Sequence, residues 1–207
     1  MNKLKISQVQ FQASHVPTLN AKIIEKSFNN TLKFKPHLIC TPECSNIITN
    51  DKSYLIFNAP YQNTCPVLKM AKDFAKKNKV NINLGSLLLR IKNKSKLVNR
   101  SFFINNYGVI KKTYDKIHMF DVEINNKEKH QESSLFKAGN KIIFTKINNI
   151  KLGMTICYDL RFPNLYRQLA KKDCSIILVP AAFTRPTGKD HWEVLNRSRA
   201  IENNVFI

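Results

Sequence analysis

Residues 150–163 read as a buried strand that stops at a cysteine and restarts as a helix. Residues 150–156 form a short, mostly apolar run, the pattern of a strand covered by its neighbours. Pro163 opens a helical spacing of Leu165, Tyr166, Leu169 and Ala170, and proline suits a first helical turn. Cys157 falls between the two. A side chain there projects from a sharp turn beside unpaired helix N–H groups, which favour thiolate over thiol and can bind a developing oxyanion. A free cysteine taken alone is a packing residue more often than a reagent. The junction is what makes Cys157 a candidate nucleophile, as in hydrolases that mount theirs on a strand–elbow–helix turn.

The rest of the chain alternates in the same way. Strands are expected at 3–11, 37–41, 80–90, 97–105, 109–114, 141–147, 150–156 and 174–180. Helices are expected at 19–34, with Leu19, Ile23, Ile24, Phe28 and Leu32 inward, at 65–78, with Val67, Leu68, Ala71, Phe74 and Ala75 inward, and at 163–172 and 190–203. Residues 44–62 read as loop and short helix, 115–140 as a long loop, and 183–189 as another loop. Alternation with a few hairpins predicts a layered α/β fold, and 207 residues fit one domain spanning 1–207.

Two further segments carry chemistry. In His37-Leu-Ile-Cys-Thr-Pro-Glu43, a short apolar strand delivers Glu43 to its carboxyl end, where open α/β sheets place their sites. Partial burial there would suit a general base, although local sequence alone reads sooner as a solvated loop glutamate. In Lys111-Lys-Thr-Tyr-Asp-Lys-Ile-His-Met-Phe-Asp121, the apolar residues Ile117, Met119 and Phe120 hold the stem of Lys116. A lysine in such surroundings can stabilise an oxyanion; its plainer reading is one more surface lysine.

These three segments together resemble the nitrilase superfamily of carbon–nitrogen hydrolases. The resemblance is carried by Thr-Pro-Glu at 41–43, Tyr-Asp-Lys-Ile-His-Met-Phe-Asp at 114–121 and Cys-Tyr-Asp-Leu-Arg-Phe-Pro at 157–163. It extends through Gln131-Glu-Ser133, Pro180-Ala-Ala-Phe183, His191-Trp192 and Arg197 to Glu202, and its wording is nearest the Nit branch, with its ω-amidases and deaminated-glutathione amidases. It implies a four-layer αββα sandwich, two copies of which pack as a homodimer. It implies a catalytic Glu43, Lys116 and Cys157, a supporting Glu132, and an oxyanion contact from the Tyr158 N–H. It also implies hydrolysis of a small carboxylate-bearing amide to acid and ammonia through a thioester, without metal or cofactor. Phe183, Arg161 and Arg185 are the substrate-binding candidates, and Arg161 has the alternative of pairing with Asp159 or Glu202. The resembled proteins continue past Ile207 with further strands, which implies a domain incomplete at its C-terminus and leaves a catalytically impaired product as the alternative reading.

Composition adds boundaries. The five cysteines form no Cys-x-x-Cys pair and the five histidines show no metal spacing, so neither a disulfide framework nor a zinc cluster is expected. Cys40 and Cys44 read as strand-end packing, His118 and His191 as structural hydrogen-bonding residues. No apolar run approaches the roughly 20 residues of a membrane span, and no secretory h-region opens the chain, so a cytoplasmic enzyme is expected. The formal charge of +20 raises a basic binding protein as the other alternative. The lysines are dispersed, however, and no aromatic interleaving or nucleic-acid motif accompanies them, so no specific nucleic-acid partner is expected.

Overall fold

The computed structural model describes residues 3–125 and 128–207. The chain opens with β1 (Ile6–Gln8), α1 (Pro17–Thr31), β2 (Leu38–Cys40), α2 (Lys52–Asn58) and α3 (Pro66–Asn78). Then follow β3 (Asn81–Arg90), β4 (Leu97–Ile104), β5 (Ile110–Asp115), β6 (Asp121–Asn125) and β7 (Glu128–Gln131). The last part contains β8 (Ile143–Ile147), β9 (Ile150–Met154), α4 (Pro163–Ala170), β10 (Cys174–Leu178) and α5 (Arg185–Asn203).

The first five strands form one sheet in sequence order, with β1, β2 and β3 parallel and β3, β4 and β5 antiparallel. A second sheet runs β10-β9-β8, parallel then antiparallel. Helices α1 and α3, both opened by a proline, lay Ile24, Phe28, Leu68, Ala71 and Phe74 on the outer face of the first sheet. The Phe28 and Phe74 rings meet edge-on at 5.1 Å, and burying side chains of this kind contributes roughly 1.5–3 kcal/mol each. The inner faces of the two sheets pack Leu38, Phe103 and Tyr114 against Ile147, Leu152 and Met154. On the far side α4 seats Leu165, Tyr166 and Leu169 against Ile177, with Leu195 of α5 alongside. The layers are helix, sheet, sheet, helix, as the resemblance implies.

Local departures from the sequence reading have identifiable causes. Strand β1 pairs only through Ile6, Ser7 and Gln8, not across 3–11. Leu19, expected inward, is 46% exposed, because α1 begins at Pro17 and turns Asn20, Ala21 and Ile24 toward the core instead. The stretch 115–140 is not one loop but contains the β6–β7 hairpin, whose two strands are short and mostly polar. The loop expected at 183–189 is largely the start of α5. Gly188 hides that helix in the sequence, while proline at its first turn suits it.

One feature of the first sheet bears directly on the site. Strand β3 breaks register with β4 between Leu84 and Leu87, and the break grips the segment after β2. The Gly85 N–H donates to Thr41 Oγ1 at 3.0 Å, the Cys44 N–H donates to Ser86 Oγ at 2.9 Å, and the Ser45 N–H donates to the Ser86 carbonyl at 2.9 Å. A Cβ at Gly85 would collide with the carbonyl oxygens of Thr41 and Pro42 and with Pro180 Cβ. At Gly153 the nearest neighbours are instead side-chain carbons of Leu169 and Ile177. Gly85→Ala is therefore expected to cost about 2–3 kcal/mol of unfolding free energy, as overpacking against rigid backbone does. Gly153→Ala should cost less. Urea denaturation of both variants checks this, and equal losses would overturn the assigned cause.

Candidate active site

Three loops at carboxyl ends of strands converge between the two sheets. Glu43 follows β2, Lys116 follows β5 and Cys157 follows β9. Lys116 is the centre of the group and almost fully buried. Its Nζ donates to Glu43 Oε1 at 3.1 Å and to Glu132 at 2.9 and 3.1 Å. Glu132 sits where β7 ends, and the Phe120 N–H donates to its Oε2 at 2.7 Å. Glu43 also accepts from the Ala182 N–H at 2.8 Å and from Asn99 Nδ2 at 3.0 Å. Burial alone would push the Lys116 ammonium toward neutrality. The Glu43 and Glu132 carboxylates outweigh it and hold the lysine well above its ordinary pKa.

Cys157 stands on a strained elbow. Its φ is +47°, in the left-handed region, and Cys44 beside Glu43 has φ +56°. The helix expected to follow Cys157 directly is preceded by a 3₁₀ turn, Cys157–Arg161. Asp159, with no exposed surface, anchors that turn. It accepts from the Ile156 N–H at 2.8 Å, the Tyr114 hydroxyl at 2.7 Å and the His118 N–H at 3.0 Å, with His118 Nδ1 at 2.7 Å. The His118 ring also stacks on Phe162 at 3.6 Å. The Cys157 N–H is used by the Pro180 carbonyl at 2.8 Å.

The thiol departs from the sequence expectation. A lowered pKa was expected from helix N–H groups, but burial first and the Glu43 charge second push it well above the ordinary value. Lys116 and the Ala182 N–H oppose this without prevailing. Cys157 at rest is a protonated thiol within hydrogen-bonding reach of Glu43.

A cavity of about 290 Å³ opens onto these groups. Glu43, Lys116, Glu132, Cys157, Tyr158, Arg161 and Phe183 all line it. Arg185 does not; it is the first residue of α5. Arg161 pairs with neither Asp159 nor Glu202. Its Nη2 lies 3.0 Å from His191 Nδ1, its guanidinium covers the Tyr158 ring at 5.7 Å, and Glu202 is held by Arg199. Cys44, expected to pack, lines the cavity as well. Sequence reasoning missed Asn99 and the anchoring role of Asp159. A polar residue inside the apolar run of β4 was the available signal for Asn99.

An αββα sandwich with a thiol, a carboxylate and a lysine at its strand ends is the architecture of a hydrolase that works through a cysteine. Comparison with known proteins gives the family. Residues 7–207 match the family described as carbon–nitrogen hydrolase, and the chain belongs to it. The deaminated glutathione amidase of Dictyostelium discoideum is 36% identical over the whole chain, which spans 74% of that protein. That of Yersinia enterocolitica is 38% identical over 82% of the chain and 60% of its own length. The crystal structure of the Caenorhabditis elegans NitFhit protein superposes with a TM-score of 0.87 at 30% identity, over 98% of this chain and 49% of that one. The Saccharomyces cerevisiae Nit3 structure, a member of the nitrilase superfamily, gives 0.85 at 25% identity, over 98% and 73%. The chain is thus an amidase-type carbon–nitrogen hydrolase of the Nit branch. No described helix is long and apolar enough to cross a membrane.

Lys116→Met would leave two buried carboxylates facing each other without their cation. Breaking such a pair costs about 3–5 kcal/mol, so chemical denaturation should show a loss of that order. The same cation lowers the Cys157 pKa. Its removal raises that pKa further, and the pH midpoint for alkylation of Cys157 by iodoacetamide should move upward. A midpoint that stays or falls would contradict the electrostatics described.

Proposed function

We propose that Cys157, Glu43 and Lys116 hydrolyse the primary amide of a small carboxylate-bearing molecule to acid and ammonia. One observation carries this reading: Lys116 bridges Glu43 and Glu132 beside the Cys157 thiol, all at the wall of one small cavity. Because the resting thiol is protonated, attack needs a base at hand. Glu43 takes the Sγ proton as sulfur bonds to the amide carbon. The oxyanion is met by Lys116 Nζ and the Tyr158 N–H. Glu43 returns the proton to nitrogen, the C–N bond breaks, and ammonia leaves a thioester. Glu43 then deprotonates a water that attacks the thioester carbon. The C–S bond breaks, the acid departs, and the proton restores the thiol. Glu132 keeps Lys116 aimed throughout.

Arg161 is the cation proposed to receive the substrate carboxylate, and Phe183 lines the same cavity. Relatives named deaminated glutathione amidase, and an omega-amidase of Xenopus tropicalis that is 29% identical over the whole chain, support an α-keto acid amide as substrate. Free cysteines suit a reducing, cytoplasmic setting. Helix α5 leaves Val194 and Ile201 exposed, which supports pairing of two copies through it. Sedimentation as a monomer at micromolar concentration would overturn that dimer.

Ammonia release from α-ketoglutaramate, deaminated glutathione and propionamide tests the chemistry. Cys157→Ala should abolish release from every substrate that works. Arg161→Met should raise KM for the two carboxylate-bearing amides by about tenfold or more, since a hydrogen bond to a charged group contributes roughly 1.5–3 kcal/mol. Propionamide should be little affected. Turnover retained by Cys157→Ala would sink the scheme, and equal effects on all three amides would remove Arg161 from it.

A further inference from the structure

Between the two carboxylates that share Lys116 lies a neutral group with no role in the scheme so far. Asn99 sits in the middle of β4 and is 1% exposed. Its Nδ2 donates to Glu43 Oε1 at 3.0 Å and reaches Glu132 Oε1 at 3.5 Å. Its backbone carbonyl accepts the Lys116 N–H at 3.0 Å. One residue therefore touches Glu43, Lys116 and Glu132.

The other end of the same amide supplies a second, independent observation. Asn99 Oδ1 is buried and has no partner among the described residues. A buried unpaired carbonyl is unfavourable. Turning the amide over would not relieve it, because Oδ1 would then face Glu43 and Glu132, both acceptors when ionised. The carboxylates thus dictate the orientation, and the orphaned oxygen is the consequence. An apolar side chain of similar size would avoid that cost and fill the same space.

We propose that Asn99 is a positioning residue for the reaction: its amide N–H holds the Glu43 carboxylate at the Cys157 thiol, and it separates Glu43 from Glu132 without adding a charge. The inference rests on the reading of Glu43 as the base. A second cation in place of Asn99 would bind Glu43 more firmly, but it would also neutralise it and weaken it as a base. A neutral donor orients one carboxylate oxygen and lowers its proton affinity far less than a second cation would.

Two variants test this. Asn99→Leu keeps the branched shape with somewhat larger ends, and it removes the orphaned carbonyl along with one donor to Glu43, so its Tm should stay within a few degrees of the wild type. Its kcat for α-ketoglutaramate should nonetheless fall about ten- to a hundredfold, with KM changed less than threefold, and this is the split expected when a group acts on the reacting base. Loss of a hydrogen bond to the charged carboxylate favours its protonated form. The midpoint at which Glu43 takes a proton should accordingly rise, read by NMR of ¹³C-labelled glutamate carboxyls and assigned against Glu43→Gln. Asn99→Asp keeps the shape but adds a third carboxylate. It should lose more turnover than Asn99→Leu at neutral pH and converge on it as pH falls.

An unmoved Glu43 midpoint in Asn99→Leu overturns the proposal, as does a kcat near wild type. So does activity lost in step with a collapsed Tm, the mark of a structural role alone. If Glu43→Gln keeps full turnover, the reading of Glu43 as base fails instead. The NMR midpoint then still decides whether Asn99 holds that carboxylate.

Discussion

Everything at this site depends on one buried cation shared by two carboxylates. Lys116 is 73 residues from Glu43 and 16 from Glu132, so the cluster forms only when β2, β5 and the turn after β7 have all docked. Taking three charges out of water is expensive, and mutual attraction repays it only when geometry is good and the remaining lone pairs are met. Here they are met by the Ala182 and Phe120 N–H groups and by Asn99. Such a cluster contributes little net stability compared with an apolar core of equal volume. It does penalise any packing that separates its members, and so it selects one arrangement of the loops.

The loops are held from behind by a different set of contacts. The β3 register break clamps the segment carrying Glu43 through Gly85 and Ser86. Asp159 clamps the elbow carrying Cys157 through four donors drawn from β5, its following loop and the elbow itself. Residues at φ +56° and +47° therefore sit beside Glu43 and at Cys157 itself. Non-glycine residues in that region cost energy and persist only where surroundings over-determine them. The polar clamps, not the loops' own preferences, supply that determination. Lys116 joins the two halves, because the Glu43 it holds also receives the Ala182 N–H from the segment after β10.

Much of this was legible in the sequence, for physical reasons. Long apolar strands such as β3 and amphipathic helices such as α3 announce themselves through periodicity, and their inward faces are those expected. Glu43 and Cys157 could be picked out because each follows an apolar strand at its carboxyl end, Lys116 because apolar residues follow it, and all three because each carries a recognisable neighbourhood; the structure gathers them around one cavity. What could not be read depends on tertiary pairing. The β6–β7 hairpin pairs two short, mostly polar strands, and the first turns of α5, ahead of the helix expected from 190, carry Pro186 and Gly188. Asn99 looked like a polar interruption of a strand until β4 brought it against two carboxylates. The partner of Arg161 was open between two acids in the sequence and proved to be His191, nearly two turns into α5.

The thiol is the point at which local and tertiary reasoning give opposite signs. An elbow before a helical turn suggests a cysteine ionised at rest, yet burial against the second sheet and the nearby Glu43 charge hold Cys157 protonated. These facts are compatible with catalysis if the proton leaves during attack and not before it. A thiol that ionises only as the amide carbon closes on sulfur never has to exist as a buried, unpaired thiolate. The same arrangement requires a base fixed in place and not fully neutralised. Lys116 alone would tend to quench Glu43, and Glu132 offsets this by taking a share of the lysine. Under the proposed scheme, two carboxylates on one cation leave the cluster with net negative charge before reaction and favour it as acceptor for the thiol proton. The second glutamate then suits a buried cysteine that starts as a thiol.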